Sequence, residues 1–277
     1  MRISDQKRLA ALWAFIFFVG TGLANAQLIF TNGFEALGLP DIPVSSEPTS
    51  SRHTARALGT TDSDQGFYEY LPPGYGTGQQ YPLLIFIHGL GENGNGDSQL
   101  SLMLRNGPPR LIDRDTWNAA RPFVVLSPQH SGGGCTTSSE INAFIDFALS
   151  EYAINPDRVY LTGLSCGAIG SWNYAGNFIN SAVAAMVPIA GIGTGAFNNA
   201  GCALGALPIW AFHGDADTVV NVSGTTSPIN SLLACDPAPP NVRMTIYPGV
   251  GHNSWARTYD LSAGHDIYAW MLRFQRP

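Results

Sequence analysis

Residues 159–170 read VYLTGLSCGAIG and set a serine and a cysteine, Ser165 and Cys166, side by side. Ser165 is the centre of Gly163-Leu164-Ser165-Cys166-Gly167, a G-x-S-x-G pattern. RVYLTG before it reads as a short strand, and AIGSWNYAGNF after it as a helix. Strand, tight turn and helix in that order lift a serine hydroxyl clear of the backbone, and the helix N-terminus favours negative charge developing there. Side chains at the two glycine positions would collide with neighbouring backbone. The pattern predicts Ser165 as a nucleophile, with a chance glycine-rich turn as the alternative.

A hydroxyl needs a base to take its proton. Of the six histidines, His53 lies in a Ser/Thr/Pro-rich stretch, and His88 and His213 each end an apolar run before a glycine, which reads as loop shaping. His130 follows a strand but precedes Ser165 in the chain, and His265 reads as a surface residue near the last helix. His252, in YPGVGHNSW, occupies a glycine-flanked loop directly after a strand, where an imidazole has room to act. A carboxylate must orient that ring. LPIWAFHGDADTVV offers Asp215 and Asp217 after another strand. The residues lean to Asp217, with Asp215 shaping the turn, and leave both open.

The remaining requirement is a pair of amides for a developing oxyanion. PLLIFIHGLGENGNG places His88-Gly89-Leu90-Gly91 after the first long apolar run, so the Leu90 N–H could meet the Cys166 N–H. Losing one such donor typically costs about 2.7–4 kcal/mol of barrier reduction. Gly89, Gly91 and Gly94 also fit the dinucleotide fingerprint G-x-G-x-x-G. That reading is disfavoured, because no apolar helix opens after the glycines and no strand ending in an acid follows about 20 residues on.

These residues need a scaffold, and the chain supplies an alternating one. GFYEYL, PLLIFIH, PFVVLSP, RVYLTG, AAMVPIA, LPIWAFHG and VRMTIYPG are short, β-branched or aromatic runs. Several are continuously apolar, as strands buried on both faces are. Between them, Thr137-Ser-Ser-Glu140 reads as a capping box, and Ile141, Phe144, Ile145, Ala148, Leu149 and Tyr152 recur on one helical face. HDIYAWMLRF reads as a closing helix. The alternation predicts a three-layer α/β domain over 60–277, with a mostly parallel sheet, helices on both faces and no large lid. Asp41 to Gly59, within the segment 27–59, reads as a linker or arm without periodicity.

Residues 1–26 read as a cleaved signal peptide. Arg2, Lys7 and Arg8 precede the apolar run Leu9–Leu23, and Ala24-Asn25-Ala26 gives a small-x-small cleavage site. The run is shorter than the roughly 20 residues that span a bilayer, so a stable membrane anchor is not expected. Export to a periplasmic or extracellular space follows. Lys7 is the only lysine, so the mature chain would carry none, which excludes Schiff-base chemistry, Ser–Lys dyads and phosphate-loop lysines. The formal charge of -6 argues against nucleic-acid partners.

In an oxidising compartment the four cysteines read as disulfides, and no Cys/His spacing suggests a metal site. Four cysteines allow three pairings. Cys135 lies on the loop after PFVVLSP, a strand expected beside the Ser165 turn, so the inferred topology favours Cys135–Cys166 and Cys202–Cys235. Cys166 would then be a brace rather than a second nucleophile. Trp172 and Trp255, close in sequence to Ser165 and His252, are candidate walls of an apolar substrate pocket, with ordinary core packing as the alternative for both. Tyr174 invites the same two readings.

HGLGENG, GLSCG, HGDADTVV and GVGHNSW, in that order, resemble the α/β-hydrolase superfamily over roughly residues 68–276. The set is most similar to its secreted phospholipase/carboxylesterase and dienelactone-hydrolase-like branch, which includes polyhydroxybutyrate depolymerase-like and feruloyl-esterase-like proteins. The resemblance implies Ser165 as nucleophile, His252 as base, Asp217 rather than Asp215 as acid, and oxyanion amides from Leu90 and Cys166. It implies hydrolysis of small or polymeric carboxylic esters through an acyl-enzyme, with no cofactor. Cys166 and Ala168 depart from the residues that relatives often carry after the nucleophile. A secreted serine peptidase and a catalytically silent binding module are the alternatives on the same fold.

Overall fold

The computed structural model describes residues 37–276. The segment 1–26, read above as a signal peptide, and the first part of the arm lie outside the described residues. The strands are β1 (His53–Arg56), β2 (Phe67–Tyr70), β3 (Tyr81–Ile87), β4 (Val124–Pro128), β5 (Ile154–Leu164), β6 (Val183–Ile189), β7 (Ile209–Gly214) and β8 (Val242–Tyr247). The helices are α1 (Gly107–Asp113), α2 (Ser138–Glu151), α3 (Cys166–Asn177), α4 (Thr194–Ala200), α5 (Ser223–Leu233), α6 (Trp255–Tyr259) and α7 (Ile267–Met271). Short 3-10 turns intervene, among them Leu90–Glu92 and Leu100–Arg105.

All eight strands form one open sheet in the order β1-β2-β4-β3-β5-β6-β7-β8. The β1–β2 and β2–β4 pairs are antiparallel, and every pair from β4 to β8 is parallel. Each of the seven apolar runs is a strand. β3 shows why the domain has three layers. All seven of its residues are buried, and successive side chains leave opposite faces. Leu83, Ile85 and Ile87 join Ile141, Phe144 and Ile145 of α2, Ala175 of α3 and Ile229 of α5. Leu84 and Phe86 join Ile112 of α1, Tyr259 of α6 and Ile267 and Met271 of α7. At about 1.5–3 kcal/mol per buried Leu, Ile or Phe, these two cores hold the strand ends in register.

The capping box at Thr137 is formed, with its side chain accepting from the Glu140 amide and the Glu140 carboxylate accepting from the Thr137 amide. α7 is capped by Asp266, whose side chain accepts from the Ala269 amide.

Two expectations need correction. The stretch read as a linker holds β1, so the sheet begins at His53 rather than after residue 60. β1 is an edge strand paired on one side only, and its four residues HTAR, two of them exposed and two half-buried, carry no apolar pattern. His265 is not a free surface residue. It is partly buried, with its ring centroid 5.5 Å from that of Trp210 and 5.9 Å from that of Phe212.

Candidate active site

The parallel strands deliver their C-terminal ends to one edge of the sheet. β5 ends at Leu164, and the chain turns at Ser165 into α3. Ser165 has φ 51° and ψ -118°, a left-handed conformation that non-glycine residues seldom take. Its amide donates to the Ile189 carbonyl at 2.9 Å, tying the turn to the end of β6. A Cβ at Gly163 would stand 2.6 Å from the Gly167 carbonyl, and one at Gly167 would strike the Ile87 carbonyl. The motif glycines are therefore required by close backbone approach, and the strain at Ser165 is held by the packing around it.

The Ser165 hydroxyl lies 2.9 Å from His252 Nε2. His252 Nδ1 lies 2.7 Å from Asp217 Oδ2. Asp217 comes from the loop after β7 and His252 from the loop after β8. The Asp217 carboxylate is wholly buried, while the His252 side chain retains 20% exposure. Asp217 Oδ1 accepts from the amides of Val219 and Val220 at 2.8 and 2.9 Å. His213 Nε2 stands 3.2 Å from Oδ2 and donates to the Val220 carbonyl. Burial pushes the Asp217 carboxyl up, but the hydrogen bonds from His252, Val220 and Val219 outweigh it, and the pKa lies below the ordinary carboxylate value. Asp217 is thus held ionised and aimed at one nitrogen of His252. Asp215 is used elsewhere. It accepts from the Gly249 amide at 2.6 Å, tying its loop to the one that carries His252.

Leu90 and Cys166 each occupy the first position of a helix, where a backbone N–H has no intrahelical partner. His88 shapes the first of these donors. Its Nδ1 donates to the Gly89 carbonyl at 2.7 Å, and its Nε2 accepts from the His130 amide at 2.8 Å. The Gly89 carbonyl and the Leu90 N–H belong to one rigid peptide plane, so holding the oxygen orients the N–H. Burial lowers the His88 pKa to about 4, which keeps the ring neutral and able to accept.

That lowered pKa has a stability consequence. Above about pH 6.5 His88 is neutral in both the folded and the unfolded chain. Below it the unfolded chain takes the proton first, so stability falls between about pH 6.5 and the folded value of about 4. The loss from His88 is on the order of 3 kcal/mol. His53, lowered to about 4 by burial, adds in the same window. The melting temperature should fall across this range, and His53→Gln should flatten part of the slope. An unchanged melting temperature would contradict the buried, neutral rings.

Both expected disulfides are formed, Cys135–Cys166 and Cys202–Cys235. The first closes on Cys166, the residue after Ser165. The second joins the 3-10 turn after α4 to the end of α5. Neither cysteine of the first pair should alkylate in the unreduced protein. The Cys135→Ala/Cys166→Ala variant should lose about 3–4 kcal/mol of stability, read by denaturant titration.

The two tryptophans part company. Trp255 reaches the site, its ring edge-on to His252 with centroids 5.0 Å apart. Trp172 does not. It is fully buried in the core beneath α3, two helical turns from Ser165, and Gly193 packs against its indole. Tyr174 is likewise buried and stacks on Phe178. One residue at the site had no signal in the sequence. Asn106 donates to Glu92 at 2.5 Å and accepts from Trp255 Nε1 at 3.0 Å, joining the Leu90 loop to the His252 loop. Its type and neighbours, RNGPP, give only a turn.

The model of the phospholipase/carboxylesterase family matches residues 127–264. No curated protein sequence matches the chain. Among solved structures it is similar to a thermostable esterase, with 24% identity and a TM-score of 0.61 over 82% of this chain and 64% of that one. It is similar to the feruloyl esterase module from Clostridium thermocellum complexed with sinapinate, with 19% identity and a TM-score of 0.57 over 85% and 94%. Dipeptidyl peptidase 4 from Porphyromonas gingivalis shares the fold at 12% identity and a TM-score of 0.58, over 80% and 35%. With an open, mostly parallel sheet and these neighbours, the chain has the α/β-hydrolase fold, and its residues 127–264 match the model of the phospholipase/carboxylesterase family.

Proposed function

We propose that the protein is an exported serine esterase that cleaves carboxylic esters through an acyl-enzyme. The observation that carries this reading is the continuous line from Ser165 Oγ to His252 at 2.9 Å and from His252 to the buried Asp217 at 2.7 Å. His252 takes the Ser165 proton as Oγ attacks the ester carbonyl, and Asp217 stabilises the imidazolium that forms. The carbonyl oxygen becomes an oxyanion facing the Leu90 and Cys166 amides. The intermediate collapses as His252 protonates the leaving alcohol. Water then attacks the acyl-Ser165 ester, giving its proton to His252, and the acid departs while Ser165 recovers a proton.

The family match over 127–264 supports esters over peptides as substrate. Among the described residues no helix is long and apolar enough to cross a membrane, and both disulfides fit an oxidising compartment. The test is labelling with a fluorophosphonate, followed by a panel of p-nitrophenyl esters, feruloyl esters and peptides. Labelling with turnover of esters is expected. Labelling with turnover of peptides alone makes the protein a peptidase, and no labelling makes it a binding module.

A further inference from the structure

A cleft of about 340 Å³ opens between α1 and α6. Leu111, Trp255 and Tyr259 give it apolar walls, and Arg110, Arg114 and Arg121 give it three cations against the single carboxylate of Asp260. The chain has 20 acidic residues to 14 basic ones, yet among the described residues none of these arginines has a carboxylate within 4.0 Å.

Arg121 is the telling member. It is 6% exposed, and its guanidinium lies 4.5 Å from the Trp117 ring centre and 4.0 Å from that of Tyr268. Those rings attract the cation but accept no ordinary hydrogen bond, and its buried Nε has no partner. Burying a cation without an anion or hydrogen bonds is unfavourable. A carboxylate meets a guanidinium through its N–H groups. One deep cation, with Asp260 on the rim, suits a monoanion. The apolar walls suit a hydrocarbon body. The cleft also adjoins the base, since Trp255 is both part of its wall and the indole packed on His252.

We infer that this cleft is a carboxylate subsite. Arg121, with Arg110 and Arg114, takes the carboxylate of a monoanionic organic acid whose hydrocarbon body lies against Leu111, Trp255 and Tyr259. The carboxylate comes either from an ester substrate that carries a second, free acid group or from a separate acid. Only the first source rests on the esterase reading.

The test has two arms. Calorimetry with sodium benzoate should show binding to the wild type and to Ser165→Ala alike. Affinity should fall about tenfold in Arg121→Met, about threefold in Arg110→Gln/Arg114→Gln, and also with added salt. The second arm compares kcat/KM for p-nitrophenyl hydrogen glutarate and neutral p-nitrophenyl pentanoate. A ratio above one that falls about tenfold in Arg121→Met identifies the substrate as the source. A ratio near one with benzoate bound identifies a separate acid. If Arg121→Met does not fold, the surface double variant and the salt dependence decide. Failure to turn over either ester overturns the esterase reading and leaves the benzoate arm intact. No benzoate binding to the wild type, with an ester ratio equal in the wild type and the double variant, overturns the subsite.

Discussion

Ser165→Ala should lower ester hydrolysis by at least about 10⁴-fold and abolish fluorophosphonate labelling. The large effect follows from what is removed. In the proposed mechanism Oγ forms the covalent bond, and its loss leaves the His252 imidazole without the hydroxyl now 2.9 Å away. Cys166 is no substitute, because its sulfur is bonded to Cys135. The fold should survive, since alanine can keep the turn that Ile189 holds through the Ser165 amide. Alanine keeps the Cβ, so the backbone strain at φ 51° is unchanged. The measurement is kcat/KM on p-nitrophenyl esters together with circular dichroism. A folded Ser165→Ala protein that retains more than about a tenth of wild-type activity or labels normally would remove Ser165 from the chemistry.

Asp217→Asn should cost about 10⁴-fold in kcat, for a reason written in the hydrogen bonds. An asparagine has one acceptor end and one donor end. The position of Oδ1 accepts two amide N–H groups, from Val219 and Val220, so the side-chain oxygen must stay there. The NH₂ is then forced to the position of Oδ2, facing His252 Nδ1. His252 must accept at Nδ1 and carry its proton on Nε2, toward Ser165. The base is lost through the wrong tautomer with the geometry nearly intact. Binding of a non-reacting ester analogue should change little, while single-turnover acylation should slow in step with kcat. A fall in binding with acylation unchanged would show that Asp217 acts only on structure.

The two replacements also separate what the chain announces from what it conceals. All seven runs are strands, and β3, β4, β6 and β7, buried along their whole length, gave the clearest continuous apolar signal. Ser165, Asp217 and His252 were legible since each sits where such a strand ends, and the glycines around Ser165 record a steric demand. β1 was hidden because an edge strand of four residues, HTAR, carries no hydrophobic signal. Trp172 misled because nearness in sequence is not nearness in space. Seven residues along α3 return to the same face but about 10 Å further down the helix axis. Trp255, three residues after His252, stayed beside it. Asn106 and the arginine cleft depend on elements far apart in the chain, and nothing local marks them.

The bridge at Cys166 couples competence to place. Cys166, the residue after Ser165, is fastened to the loop after β4 only where thiols are oxidised. A chain still in a reducing cytoplasm would have the strands, the serine and the histidine, but not that fastening. If the chain is the exported esterase proposed above, it would be finished last at its own reactive centre, after leaving the compartment whose lipids and metabolites it could damage.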